Sequence, residues 1–209
     1  MLTVHVPFPD TPSLTTTRLH SSQVRSLSYR VLRLLDWHFL GKVPDIPKMI
    51  VVGAPHTTNW DFIVFLAALH AYRIRARFIG KHTLFRWPFG YFFRALGGIP
   101  VDRSRPGGMV RQVTEAFDAA DEMILVIAPE GTRKAVPYWK SGFLTIALDA
   151  RVPVVLGSVD FSRREVTLSP AIDYTGDPRE FMDQARRFFQ GKLGGHPEGG
   201  GPVRVREEE

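Results

Sequence analysis

The chain has 209 residues, of which 44% are hydrophobic and 23% are charged, a composition that predicts a folded domain with a buried core and argues against disorder. The absence of cysteine excludes a disulfide scaffold, a thiolate zinc site, an iron–sulfur cluster and a cysteine nucleophile. The formal charge of +6, with 21 Arg and only 6 Lys, and the 15 Phe residues indicate an intracellular protein that meets anions, lipids or both, although a GC-rich genome would also enrich Arg.

The first 40 residues are predicted to form an arm and a helix ahead of the main domain. Residues 1–21 carry three prolines and show no periodicity, which indicates an irregular arm without the basic start and apolar run of a signal peptide. Residues 22–40 have apolar side chains at helical spacing with arginines among them, so we expect an amphipathic basic helix. This helix could pack on the domain or dock on an anionic membrane surface, and the sequence leaves both open.

Strands and helices alternate along residues 22–190, which predicts a single α/β domain with a largely parallel central sheet flanked by helices. The longest apolar run, Phe62–Leu69, has the length of a buried core helix and is too short for a membrane span. Pro88 and Gly90 are expected to break any regular helix in the aromatic and basic residues 83–96. Residues 191–209 are rich in glycine and then charged, and we expect a flexible tail there. Strands are predicted within residues 49–54, 75–80, 97–102, 123–127, 152–161 and 165–172, and helices within residues 62–72, 107–121, 142–150 and 177–189.

Two residues five apart, His56 and Asp61, form the first candidate catalytic pair. His56 lies in the loop after the first predicted strand, and Asp61 lies at the start of the next helix, for which Thr58 or Asn59 can serve as N-cap. Residues so placed can meet across the turn, where a carboxylate bonded to one imidazole nitrogen fixes the tautomer and makes the other nitrogen more basic. The same spacing also fits an aspartate that only caps the helix beside an unrelated loop histidine.

A second loop, residues 130–133 (EGTR), follows another apolar strand. A tight turn that presents an arginine suits a phosphate, but it also fits a surface salt bridge. Because both loops follow strands of a largely parallel sheet, we expect them at the edge where ligands usually bind. Two further blocks, residues 97–103 with Arg103 at a strand end and residues 152–155 in a buried strand, are uninformative by themselves.

In this order and spacing, the blocks HTTNWD, GGIPVDR, PEGTR and VPVVLGSV resemble the glycerophosphate and lysophosphatidate acyltransferase family over about residues 45–160. The resemblance implies an enzyme of phospholipid biosynthesis. It would move a fatty acyl group from a thioester, either acyl-CoA or acyl-ACP, to the hydroxyl of a lysophospholipid such as 1-acylglycerol-3-phosphate. Direct transfer is implied, with no acyl-enzyme, no cofactor and no metal, in keeping with the lack of cysteine and of a Gly-x-Ser-x-Gly elbow.

The resemblance also implies residue roles. His56 would be the general base on the acceptor hydroxyl, and Asp61 would orient it. Gly131 and Thr132 would shape their loop, and Glu130 would steer Arg133. The residues to which the family's phosphate-binding role carries over are Arg103, Glu130, Gly131, Thr132 and Arg133.

Three departures from the family pattern leave the acceptor open. Pro55 stands where the family usually has Asn before the histidine, the box interior TTNW is bulkier than the small residues often found there, and the chain is shorter than most members. Another lysophospholipid, or another lipid hydroxyl or amine, is the alternative acceptor. Neither the acyl chain length nor the choice between CoA and acyl carrier protein follows from the sequence.

A basic and aromatic stretch between the two motif loops favours contact with a membrane. Residues 73–111 contain nine Arg or Lys, seven aromatic residues and a single acid, Asp102. Arginines mixed with aromatic side chains suit the interface of an anionic bilayer, so we expect a cytoplasmic protein that is peripheral on the inner face of the cell membrane. The alternative is an aromatic core beneath a solvated arginine face.

A basic nucleic-acid- or lipid-binding module is the non-enzymatic alternative. The sequence shows no recognition helix and no RNP-like block, which argues against a nucleic-acid partner.

Overall fold

A seven-stranded sheet forms the centre of the protein. The computed structural model describes residues 30–71, 74–101 and 107–209, so the predicted arm at 1–21 and the first part of the predicted N-terminal helix, residues 22–29, lie outside the described residues. The strands are β1 (His38–Leu40), β2 (Lys48–Gly53), β3 (Ala76–Lys81), β4 (Gly98–Val101), β5 (Met123–Ile127), β6 (Val154–Asp160) and β7 (Glu165–Ile172). Their order across the sheet is β1-β7-β6-β2-β5-β3-β4, and all neighbours are parallel except β6 and β7. The predicted α/β fold with a largely parallel sheet is confirmed.

Helices cover both faces of this sheet. The helices are α1 (described part, residues 30–34), α2 (Asn59–Ala71), α3 (Gly90–Ala95), α4 (Gly108–Ala119), α5 (Gly142–Asp149) and α6 (Pro178–Phe189), with 3-10 turns at His82–Phe85, Pro197–Gly199 and Arg206–Glu208. On one face, α2 packs through Phe65 in a cluster with Val51 of β2. On the other face, α4, α5 and α6 enclose a cluster that contains Ile50 of the same strand. Because successive strand residues point to opposite faces, β2 is buried on both sides, as parallel strands usually are.

The strand order places two loops side by side. β2 pairs in parallel with β5, and Val52 lies opposite Ile127. The carboxyl ends of the two strands therefore open at the same edge of the sheet. The loop after Gly53 and the loop after Ile127, which carry the HTTNWD and EGTR motifs, begin next to each other.

The N-terminal helix ends earlier than its periodicity predicts. The helical residues stop at residue 34, and residues 38–40 form β1 at the edge of the sheet beside β7. Between them Asp36 has a left-handed backbone conformation (φ +60°), which ends a helix. Trp37 is buried, with its ring centroid 5.1 Å from that of Phe161. Burial of this indole and pairing with β7 therefore outweigh the apolar spacing that continues through residue 40.

Two other segments depart from the sequence prediction. Residues 86–89, which include Pro88, interrupt the helix in residues 83–96 as expected, but Gly90 begins the short helix α3. A Cβ at Gly90 would overlap the Phe85 carbonyl oxygen, so glycine permits the close approach. Residues 191–209 pack against the domain instead of extending from it as a flexible tail. Val205 is fully buried there, and the backbone N–H of Trp139 donates to the Arg204 carbonyl oxygen at 2.8 Å. The folded domain thus continues beyond residue 190.

Candidate active site

His56 and Glu130 join the two motif loops. His56 is the third residue after β2, and Glu130 is the third residue after β5. The backbone N–H of His56 donates to Glu130 Oε2 at 2.7 Å. Because Glu130 is only 4% exposed, this hydrogen bond lies in the interior and fixes the histidine loop against the EGTR loop.

Asp61 caps the helix that follows the histidine. Its Oδ2 accepts from the backbone N–H groups of Thr57 and Thr58 at 2.5 and 2.6 Å, and Thr58 Oγ1 in turn accepts from the N–H of Trp60 and of Asp61. This reciprocal arrangement is a capping box in which aspartate takes the place of the usual glutamate or glutamine. The expectation that Thr58 or Asn59 caps the helix is met by Thr58. The turn itself therefore holds Oδ2 of the buried Asp61 carboxylate.

The same carboxylate lies beside the imidazole of His56. The Nδ1 atom of His56 is 3.9 Å from Asp61 Oδ2. The sequence predicts a hydrogen bond here, but the distance is too long for one, since Oδ2 is already engaged by the two threonine amides. The pair is nevertheless close enough for a direct charge interaction, and it leaves Nε2 as the ring nitrogen that does not face the carboxylate. Both interpretations of the spacing are thus combined, because Asp61 caps the helix and also adjoins His56.

The electrostatic surroundings of His56 favour the neutral imidazole. Burial lowers its pKa, the Asp61 carboxylate opposes this by raising it, and the Arg133 guanidinium lowers it further. The side chain keeps 24% of its surface exposed. A neutral imidazole with a solvent-accessible side can accept a proton from a bound hydroxyl.

Glu130 is a buried carboxyl whose charge is disfavoured. Burial raises its pKa to about 7, the hydrogen bond from His56 works against this, and the nearby Asp61 carboxylate adds to it. The predicted steering of Arg133 by Glu130 is not what the structure shows, because Glu130 faces the His56 amide. The guanidinium Nη1 of Arg133 donates instead to Asn59 Oδ1 at 2.8 Å.

Arg133 is exposed and stands beside the histidine box. Its bond to Asn59 spans 74 residues of sequence and ties the EGTR loop to the first turn of α2. The sequence indicates Asn59 only as a candidate helix cap, and nothing in its spacing signals a partner for an arginine on another loop. An exposed guanidinium fixed at one nitrogen can offer its other donors to an anion.

Gly131 allows the tight turn that separates Glu130 from Arg133. Its φ of +66° lies in the left-handed region, and a Cβ there would come within 2.9 Å of Lys140 Cε and Nζ. The Gly131 N–H donates to the Ala128 carbonyl at 3.1 Å, and the neighbouring Thr132 is exposed. The loop therefore turns one acidic side chain inward and one basic side chain outward.

A cavity of about 140 Å³ opens beside His56 at the carboxyl edge of the sheet. His56 and Asp61 supply its polar wall, and aliphatic and aromatic side chains supply the rest. An apolar chain could lie in it with its polar end at the imidazole. The other lining residues are Gly53, Ala54, Pro55, Phe65, Phe78, Ile79, Val126, Ala128, Gly157 and Val159.

The remaining motif residues are placed as follows. Arg103 lies outside the described residues, because the described part of its block ends with Val101 at the end of β4. In the Val152–Val155 block, Val154 is fully buried opposite Ile50 of β2, so this block builds the sheet next to the site. Within the described ranges, no group of three or more His, Asp or Glu residues could hold a metal ion. No helix in the same ranges has both the length and the apolar content to cross a bilayer.

Sequence comparison finds similarity to known acyltransferases. A family model described as Acyltransferase matches residues 35–156. A protein named 1-acyl-sn-glycerol-3-phosphate acyltransferase from Streptococcus pneumoniae is 27% identical over 120 residues, which are 57% of this chain and 44% of that protein. A protein of the same name from Cocos nucifera is 33% identical over 84 residues, which are 37% of this chain and 27% of that protein. The chain thus spans less than half the length of the curated relatives it matches.

Structural comparison finds the same fold in a solved protein. The crystal structure of the 1-acyl-sn-glycerophosphate (LPA) acyltransferase PlsC from Thermotoga maritima superposes with a TM-score of 0.55. The superposition covers 82% of this chain and 80% of that chain, at 18% sequence identity. At this identity the likeness concerns the fold alone.

Proposed function

The chain belongs to the acyltransferase family, and from this we propose that it transfers a fatty acyl group from a thioester to the hydroxyl of a lysophospholipid. The observation that carries the proposal is the neutral, partly exposed imidazole of His56 beside the buried Asp61 at an apolar cavity. The two curated relatives are named for 1-acyl-sn-glycerol-3-phosphate, which supports that lipid as the acceptor. The reaction as proposed uses neither a metal nor a cofactor.

His56 acts in this proposal as the general base. Its Nε2 takes the proton of the acceptor hydroxyl while the oxygen attacks the thioester carbonyl carbon, giving a tetrahedral intermediate. The carbon–sulfur bond then breaks, and the leaving thiolate takes the proton from the imidazolium, so that an ester and a free thiol are released. Asp61, 3.9 Å from Nδ1, stabilises the positive charge that forms on the ring between these steps.

The EGTR loop is proposed to bind the acceptor phosphate through Arg133. Its guanidinium is exposed and is held beside the histidine box by Asn59, so a phosphate bound there would bring an acceptor hydroxyl towards His56. Thr132 and Arg103 are proposed to complete this subsite, and Gly131 gives the loop its turn. Glu130 has a supporting role in the proposal, since a buried carboxyl that accepts from the His56 amide does not face a ligand.

The apolar cavity is proposed to hold the first part of the acyl chain. Phe65, Phe78 and Val159 line it next to His56, which would place a thioester carbonyl at the imidazole when the chain is inside. The thiol carrier would then lie outside the cavity, where either CoA or acyl carrier protein could be accommodated. Assays with both donors distinguish them.

We also propose that the protein works on the anionic surface of a membrane, as a peripheral protein of the cytoplasmic face. Four aromatic side chains between residues 87 and 92 are exposed, with Trp87 at 93% and Tyr91 at 86%. Arg86 and Arg94 flank them and are also exposed. Exposed rings next to cations suit the lipid headgroup region, from which both substrates would be drawn.

The proposal is tested by measuring thiol release from acyl-CoA and from acyl-ACP with a panel of lysolipids. We expect turnover with 1-acylglycerol-3-phosphate and a loss of about 10²–10⁴-fold in His56→Ala, because the general base is removed. His38→Ala is the matched control, since His38 is an exposed histidine 3.5 Å from Asp36 at the far edge of the sheet, and its activity should match wild type. Wild-type turnover in His56→Ala would refute the mechanism, and thiol release with none of the lysolipids would refute the activity.

A further inference from the structure

Residues 194–196, which we name the glycine strap, lie directly on the histidine box. The Gly195 N–H donates to Asp61 Oδ1 at 3.2 Å, and the His196 N–H donates to Thr57 Oγ1 at 3.0 Å. These hydrogen bonds join residues that are more than 130 positions apart in sequence. Neither motif analysis nor the family match, which covers residues 35–156, includes this segment.

The glycines of the strap leave no space between it and the box. A Cβ at Gly194 would overlap Thr57 Oγ1, and a Cβ at Gly195 would lie 3.0 Å from Thr58 Cγ2 and 3.2 Å from Asp61 Oδ1. A Cβ at Gly194 would force Thr57 to move, and a Cβ at Gly195 would push Thr58 and Asp61 away by a few tenths of an ångström. The threonine side chains and the Asp61 carboxylate can therefore keep their positions only while both strap residues lack a side chain.

The chain on either side of the strap is fixed to the domain. Before it, the Leu193 carbonyl accepts from the Phe161 N–H at 2.9 Å. After it, Val205 is fully buried, and the Glu208 carboxylate lies 2.7 Å from Arg186 Nη1 with 11% of its side chain exposed. The strap is thus held at both ends and cannot leave the box without breaking these contacts.

The strap completes the hydrogen bonding of Asp61. Oδ2 is held by the amides of Thr57 and Thr58, and Oδ1 is held by Thr58 Oγ1 at 3.0 Å and by the Gly195 N–H. With both oxygens engaged, the carboxylate cannot rotate away from the imidazole. The charged groups that act on the His56 imidazole are Asp61 and Arg133, and the titratable Glu130 accepts from the His56 backbone amide. Of these three residues, the strap forms a hydrogen bond only with Asp61.

We propose that the glycine strap is a positioning element of the active site, which holds the Asp61 carboxylate against His56 during acyl transfer. The proposal rests on the function proposed above for His56. Gly194 and Gly195 are positioning residues, because they would act on the reaction through Thr57, Thr58 and Asp61, against which they pack.

The test compares Gly194→Ala and Gly195→Ala with Gly200→Ala. Gly200 lies four residues beyond the strap in an extended conformation that alanine adopts readily (φ −74°, ψ 134°), and its Cβ would meet only the Pro197 carbonyl oxygen at 3.3 Å. We expect kcat to fall about tenfold to a hundredfold in Gly194→Ala, since displacement of a catalytic group by about 1 Å has such effects. In Gly195→Ala, where the neighbouring atoms need to move less, we expect a smaller fall of about twofold to tenfold. The acceptor KM should change little in both variants. Gly200→Ala should keep the wild-type kcat.

A second measurement does not depend on activity. The titration of the His56 imidazole is followed by NMR, with the signal assigned by its loss in His56→Ala. We expect its midpoint to fall in both strap variants, because the Asp61 carboxylate moves away, and to stay unchanged in Gly200→Ala. If Gly194→Ala does not fold, the milder Gly195→Ala decides the question alone.

A folded Gly195→Ala protein with the wild-type kcat and His56 midpoint would overturn the proposal, even if its thermal stability were lower. Failure of the proposed function has a different signature. In that case His56→Ala would retain turnover, while the NMR midpoint would still report whether the strap positions Asp61.

Discussion

The backbone amide of His56 donates a hydrogen bond to the buried carboxyl of Glu130, between loops that follow adjacent strands. This bond gives the motif glutamate a contact with the histidine loop. Arg133, three residues after Glu130 and beyond the turn at Gly131, is exposed and donates to Asn59 instead. Glu130 and Arg133 of one motif therefore serve different parts of the proposed site. Glu130 supports the loop of the general base His56, and Arg133 would contact the acceptor phosphate.

The raised pKa of Glu130 predicts that part of the stability is lost as the pH rises. The pKa is about 7 in the fold against an ordinary value of 4.5, so between these values the folded protein binds more protons than the unfolded chain. The stabilisation from the protonated Glu130 is fully present below pH 4.5, the ordinary pKa. It declines as the pH rises and is lost once the pH exceeds the folded-state pKa of about 7. The total change is about 3 kcal/mol.

Glu130→Gln keeps the shape and cannot ionise, so it should remove this decline and be the more stable protein above neutral pH. The free energy of unfolding in urea, measured from acidic to mildly basic pH, checks the expectation. Glu115→Gln, a change at an exposed glutamate paired with Arg111, serves as the control and should keep the wild-type slope. If the free energy of unfolding of Glu130→Gln declined with pH as it does in wild type, Glu130 would not be the group responsible for the loss of stability.

Asp61→Asn should change the pH profile of turnover. The Asp61 carboxylate raises the pKa of His56, while burial and Arg133 lower it. Without the charge, the His56 pKa should fall further and the acid limb of kcat/KM should move to lower pH. The plateau should drop about tenfold or more, because the imidazolium formed during transfer loses its counter-charge.

The control for this change is another aspartate that caps a helix. Asp177 caps α6 by accepting from the N–H groups of Arg179 and Glu180. Asp177→Asn should therefore show the wild-type profile. If Asp61→Asn showed the wild-type acid limb and plateau of kcat/KM, the proposed role of the His56–Asp61 pair would be contradicted.

Arg133→Ala should raise the KM for the acceptor with a smaller effect on kcat, if the guanidinium contacts the phosphate equally in the ground and transition states. Lys134→Ala, which removes the adjacent exposed cation, is the control and should leave both constants unchanged. Steady-state assays measure kcat and the acceptor KM with a phosphate-bearing lysolipid and with a monoacylglycerol, which lacks the phosphate. Equal use of the two acceptors by the wild-type enzyme would argue against a phosphate subsite at Arg133.

Binding to vesicles should depend on lipid charge, on salt and on the exposed rings. We expect the protein to sediment with anionic vesicles at low salt, to be released as salt screens the arginines, and to bind less after Trp87→Ser or Tyr91→Ser. Leu148→Ser changes a half-exposed residue of α5 and should not weaken binding. Equal sedimentation with neutral and anionic vesicles would refute membrane binding through this surface.

The sheet and the place of the site were predictable from the sequence. Apolar runs such as residues 123–127 are long enough to mark buried strands, and in a parallel sheet the loops that follow them must open at one edge. This is why His56 and residues 130–133 could be assigned to one site, although 74 positions separate His56 from Glu130. Thr58 was also predictable as one of two candidate N-caps, whereas its reciprocal bonding with Asp61 is seen only in the structure.

The errors arose where tertiary contacts override local patterns. Periodicity carries the N-terminal helix through residue 40, but the burial of Trp37 and the pairing of β1 with β7 end it sooner. The glycine-rich composition of residues 191–209 indicates disorder. Composition does not show which surface of the domain a segment without side chains can pack against closely. At Gly194 that surface is a threonine of the histidine box, more than 130 positions away.

The hydrogen bond between Gly195 and Asp61 closes a loop of 134 residues, and that between His56 and Glu130 closes one of 74. Contacts so distant in sequence form only after long stretches of chain have been ordered. A partly folded chain with its helices and the local β6–β7 hairpin in place would carry Asp61 in the first turn of α2 and His56 on an unsupported loop. Recovered activity during refolding would therefore report the completion of the whole domain, whereas recovered helical signal would not.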